Sequence, residues 1–135
     1  MTKEVFINLP VKDVLKAMDF YLGLGFTNNP HFSDDQGKCM VWSEHIYVML
    51  LSHEKFSNFT HKSIADTKSN IAGLFALSVS SFDEINEVME KGLNAGGVEP
   101  FEAQDYSFMK QRTIEDLDGH TWEIFYMDME QVPKA

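Results

Sequence analysis

The stretch Asp116-Leu117-Asp118-Gly119-His120-Thr121-Trp122-Glu123-Ile124-Phe125-Tyr126 decides how this chain is read. Asp118-Gly119 is a tight-turn signal, because aspartate and glycine tolerate the backbone angles that such turns require. The run from Thr121 to Tyr126 is rich in β-branched and aromatic strand formers. Alternate residues of a strand share a face, so Glu123 lies with Phe125 and Met127, while Trp122, Ile124 and Tyr126 lie opposite. Both faces are mostly apolar, which predicts a central strand whose single carboxylate is desolvated or points into a cavity. An unpaired carboxylate is costly to bury, so Glu123 calls for a partner or a function.

Upstream, one order of elements occurs twice. Val5 to Leu9 reads as a strand, and Asp13 can cap a helix whose Val14, Met18, Tyr21 and Leu22 form an apolar stripe at helical spacing. Gly23 and Gly25 stop that helix, and strand-like runs follow at 26–28, 37–43 and 46–52. The second half begins with a strand at 74–79. A helix comes next, in which Ser81 and Glu84 have capping-box spacing and Ile85, Val88 and Met89 make the stripe. Asn94-Ala95-Gly96-Gly97 ends it, before strands over 108–115 and 121–127. An offset of 68 residues lays Leu77-Ser78-Val79 on Leu9-Pro10-Val11. These features predict an α+β domain of two repeated βαβββ modules, about 3–52 and 71–128, joined by a linker over 53–70. The linker is polar apart from Phe56, Phe59 and Ile64, and its length predicts a short helix or a lid across a pocket mouth.

With 135 residues the chain has the length of one domain, and 44% hydrophobic with 13% aromatic residues is enough for a real core. No apolar run is long enough for a membrane span, and Met-Thr-Lys-Glu-Val-Phe at the start lacks a signal peptide's hydrophobic stretch, so the expected compartment is the cytoplasm. Eleven basic against twenty-one acidic side chains give a net charge of −10, which argues against nucleic acid and anionic membranes as partners. The single cysteine, Cys39, allows no internal disulfide and no Cys-x-x-Cys site, and it reads as a strand thiol.

Together with Leu9-Pro10-Val11-Lys12-Asp13, Phe20-Tyr21-Leu22-Gly23-Leu24-Gly25-Phe26 and Ala95-Gly96-Gly97, the closing strand resembles the vicinal oxygen chelate superfamily. That superfamily includes glyoxalase I, extradiol dioxygenases, fosfomycin-resistance enzymes and bleomycin-binding proteins. The resemblance implies that the modules curl into a cup-shaped eight-stranded sheet with helices on the outside, that the protein is a homodimer, and that Glu123 stands where the last metal ligand commonly lies. Carried over position by position, the first ligand falls on Phe6 and its repeat-related partner on Leu74, while the strand Ile46 to Leu51 offers no carboxylate, histidine or glutamine. One carboxylate does not hold Fe²⁺, Mn²⁺, Ni²⁺ or Zn²⁺, which want at least three protein nitrogen, oxygen or sulfur ligands. No metal and no other cofactor is therefore expected, and His31, His45, His53, His61 and His120 show no short ligand spacing.

Strand parity puts Phe6, Asn8, Leu74, Ala76, Glu123 and Phe125 on the pocket side of the sheet, with Ile7, Leu9, Phe75, Leu77, Val79 and Ile124 beneath the helices. Trp42, Tyr106 and Phe108 are the expected neighbours of that pocket. Aromatic walls with a few isolated polar groups suit a small organic ligand. The expected function is metal-free binding of a small aromatic or cationic molecule, as in bleomycin-binding relatives, with Glu123 as the charged anchor. The alternative is a lyase or dioxygenase that rebuilds a divalent metal site from His45, His53 or His61 with Glu123, or uses Glu123 as a general base. A third reading is a structural or regulatory partner with a filled cup.

Overall fold

A computed structural model describes residues 2–133. Strand β1 (Val5–Val11) leads into helix α1 (Val14–Leu24), followed by β2 (Thr27–Asn29), β3 (Gly37–Ser43) and β4 (Ile46–Ser52). A short helix, α2 (His53–Ser57), opens the segment that connects the halves. Then β5 (Phe75–Ser78), α3 (Phe82–Asn94), β6 (Gln104–Asp105), β7 (Met109–Glu115) and β8 (Thr121–Met127) repeat the first plan. The chain is thus α+β with two βαβββ modules. Leu74 lies just before β5, and Phe108 just before β7.

Each module makes its own four-stranded sheet, ordered β1-β4-β3-β2 and β5-β8-β7-β6. The first strand of each pairs in parallel with the last, and the remaining pairs are antiparallel. Among the described residues no ladder joins the two sheets, so the eight strands do not close into one continuous sheet within a chain. Among the described residues β1 and β5 each keep one edge without a strand partner.

The helices start in the same register of the repeat. Asp13 caps α1 by accepting from the Lys16 amide, and Ser81 caps α3 by accepting from the Glu84 amide. Glu84 reaches back to the Ser80 amide at 2.8 Å, one residue before the Ser81 cap. Both helices lie on the aliphatic faces of the sheets and share one core with them, in which Leu9, Leu77 and Ile124 are buried beside Tyr21, Met89 and Trp122. A Cβ at Gly23 in α1 would stand 2.8 Å from the Ala95 Cβ at the end of α3, so a glycine there lets the two helices approach this closely. Because the inner faces share this core, the faces carrying Phe6 and Glu123 point away from it.

Candidate functional site

Two carboxylates stand near the β7–β8 connection, Asp116 at its start and Glu123 inside β8. Asp116 is buried, and its Oδ2 accepts from the Tyr21 hydroxyl at 2.5 Å. Its Oδ1 accepts from the amides of Asp118 and His120 at 2.9 and 2.8 Å. Trp122 Nε1 donates to the Tyr21 oxygen at 2.8 Å, so a phenol from the first module links an indole and a carboxylate of the second. Burial raises the Asp116 carboxyl above the usual aspartate range, against the opposing pull of His120 and of these donors. Burial, and then the nearby Asp116, pushes the Tyr21 phenol well above its ordinary value.

Glu123 has a different setting. It is half-buried in the central strand of the second sheet, with Ala76 on one side and Thr113 on the other. Gln111 Nε2 donates to Glu123 Oε2 at 3.2 Å and to Gln104 Oε1 at 2.7 Å, and the Tyr106 hydroxyl donates to the same Gln104 oxygen at 3.2 Å. A polar row therefore crosses the open face from Tyr106 through Gln104 and Gln111 to Glu123, with Phe125 opposite Gln111. The glutamate is neither fully desolvated nor without a partner. Gln104 and Gln111 escaped the sequence reading because only the registers of β7 on β8 and of β6 on β7 bring them to Glu123.

The first sheet's open face carries a stacked pair, Phe6 on Tyr47, with ring centroids 4.4 Å apart and planes at 8°. Asn8 lies beside Met49, and the cavity it lines reaches Gly119, His120 and Thr121 but stops short of Glu123. Phe6 and Asn8 therefore stand on one open face, and Glu123 and Phe125 on another. Leu74 is exposed at the entry to β5. Trp42 is placed on the helix side, packed against Phe26 at 5.0 Å between ring centroids. Phe108 stands in the β6–β7 turn, where the Asp128 amide donates to its carbonyl.

The connecting segment lies across the junction of the modules. Phe56 and Phe59 border a hollow over Asn8 and Leu51. Thr67 Oγ1 donates to the Asp118 carbonyl at 2.5 Å, and a Cβ at Gly119, where φ is +90°, would run into the Thr67 carbonyl. Glycine at 119 thus serves the turn and the seating of the strap together.

Among the described residues no three histidine, cysteine, aspartate or glutamate side chains come together in a way that could hold a metal ion. The strand register sets Ala76, Thr113, Gln111 and Glu115 around Glu123 on its face, with no histidine or cysteine among them and the Gln111 nitrogen turned toward the carboxylate, a poor set for a divalent transition metal.

The hypothetical protein SA1046 from S. aureus is similar over 93% of this chain and 95% of its own, with 26% identity and a TM-score of 0.76. A glyoxalase-related enzyme from Fulvimarina pelagi matches with a TM-score of 0.77 and 19% identity, covering 93% of this chain and 88% of that one. A glyoxalase/bleomycin resistance protein/dioxygenase family enzyme from Burkholderia phytofirmans PsJN matches with a TM-score of 0.75 and 14% identity, over 90% of this chain and 96% of that one. This is the vicinal oxygen chelate fold. No family model matches the chain, and neither does any curated protein. The vicinal oxygen chelate fold supplies many chemistries, so its presence fixes the scaffold and leaves the reaction to the site. Among the described residues no helix is long and apolar enough to cross a membrane.

Proposed function

We propose that this chain is a cytoplasmic, metal-free binding protein for a small aromatic or cationic organic molecule, held on the open face around Glu123. The observation that carries this is the polar row from Tyr106 to Glu123. It sets one oriented carboxylate beside Phe125, with Ala76, Thr113 and Gln111 as its uncharged cross-strand neighbours. A carboxylate with one oxygen held by an amide is a ready acceptor for a cationic or hydrogen-bond-donating group. Phe125 and Tyr106 offer ring faces to an aromatic one. Two copies would complete the cup, the open face of the first sheet in one chain covering that of the second sheet in the other. The unpaired edges of β1 and β5 and the exposed Phe6 and Leu74 favour this homodimer.

The same geometry supports one second reading. Glu123 Oε2 is held by Gln111, and Oε1 has no protein partner among the described residues, so the carboxylate could take a proton from a bound substrate as a general base.

Native mass spectrometry of gently purified protein tests the first reading. A dimer carrying a small organic adduct is expected, with the adduct lost in Glu123→Gln. A monomer at micromolar concentration would contradict the shared cup, and an adduct unchanged in the variant would contradict the anchor.

A further inference from the structure

A cavity of about 360 Å³ lies beneath the strap, apart from the open face of Glu123. Its walls come from both modules and from the strap: Leu9, Phe56, Ile64 and Phe75 line it, and His120 and Thr121 are its buried polar groups. The size falls within the roughly 300–1,000 Å³ of small-molecule sites.

His120 is 8% exposed. Its Nε2 lies 2.8 Å from the Pro10 carbonyl oxygen, which only accepts, so Nε2 carries the hydrogen. With Nε2 donating, the neutral ring has its lone pair at Nδ1. That atom has no protein hydrogen-bond partner, and no side-chain nitrogen or oxygen among the described residues is both fully buried and unbonded. Nδ1 therefore reaches open space, and the space that His120 lines is this cavity. The strap is anchored there by Thr67 on Asp118, and Gly119 gives it room to lie close.

We propose that this cavity is a second binding site, for a compact phenol or alicyclic alcohol whose hydroxyl donates to His120 Nδ1 and whose ring packs among Leu9, Ile64 and Phe75. The anchor of β1 to β8 through Nε2 accounts for half of the imidazole, and the hydroxyl accounts for the other half. The site stands within one chain and needs neither Glu123 nor a second copy, so it can hold or fail independently of the cup proposed above.

The test titrates the intact protein with p-cresol and with toluene, which keeps the ring and lacks the hydroxyl, following backbone amides and the His120 ring nitrogens by NMR. Saturable shifts at Gly119, His120, Ile71 and Ala72, a change at Nδ1, and binding of toluene about tenfold weaker or more are expected. Ile64→Trp enlarges a half-buried wall of the cavity away from the His120–Pro10 contact, and in this variant p-cresol binding should be lost while the spectrum stays folded. Shifts confined to the sheet faces around Phe6 and Glu123, equal binding of toluene, or unchanged p-cresol binding in Ile64→Trp would overturn the proposal.

Discussion

Asp116 opens the β7–β8 turn and Glu123 lies in the strand that follows it, yet the two carboxylates end in opposite circumstances. Asp116 is buried and accepts from a phenol and two backbone amides, which ties α1, the turn and β8 together. Glu123 is half-buried on an open face and accepts from one amide, that of Gln111. A carboxylate whose acceptor sites are filled by its own chain is committed to the fold. One with an oxygen left over is available to something else. The contrast predicts that equal losses of charge at the two positions have unequal consequences.

The largest effect is expected at Asp116. Asp116→Ala would leave the Tyr21 hydroxyl and two amides without their acceptor in the core, and should cost about 3–5 kcal/mol in urea unfolding. Loss of under ~1 kcal/mol would mean that the buried network is incidental. Gly119→Ala comes next, because a Cβ there meets the Thr67 carbonyl at a positive φ. A destabilisation of about 1–3 kcal/mol with faster hydrogen exchange along 60–73 is expected. If exchange quickened nowhere in the strap, its seating on Gly119 would be refuted.

A smaller, signed effect is expected with pH. Burial raises the Asp116 carboxyl, so from the ordinary aspartate range up to its raised value the folded chain binds a proton that the unfolded chain has released. Its contribution to stability is therefore present at low pH and is lost as pH rises through that folded value. The wild type should show this descending component in urea midpoints, and Asp116→Asn should not. The smallest stability change is expected for Glu123→Gln, within about 0.5 kcal/mol at neutral pH, since the glutamine amide can meet Gln111 through its oxygen. A large loss of stability there would make Glu123 a structural group like Asp116.

Much of the fold was legible in the chain because periodicity and capping are local signals. Asp13 and Ser81 cap their helices as their spacing implies, and the aliphatic parity set, Leu9, Leu77 and Ile124, is buried. The site was less legible because it depends on register and on which face a side chain takes. Trp42 lies within β3 at the point where its register shifts between Val41 and Ser43, and it packs on Phe26 on the helix side. Gln104 and Gln111 look like ordinary surface polar residues until β6 and β7 are paired. The network of Tyr21, Asp116 and Trp122 spans about a hundred residues of chain, a distance at which no local pattern speaks. The resemblance of the closing strand to a metal-binding family pointed to Glu123, and the cross-strand neighbours showed what kind of site surrounds it.

The central claim is that Glu123 is held for a ligand and Asp116 for the fold. It is tested most directly by titrating wild type and Glu123→Gln with an aromatic cation, benzyltrimethylammonium, by calorimetry, alongside urea unfolding of both proteins. The account predicts binding weakened by about 1.5–3 kcal/mol in the variant, with the unfolding midpoint unmoved. Equal binding by both proteins, or a variant that loses stability while binding as the wild type does, would contradict it.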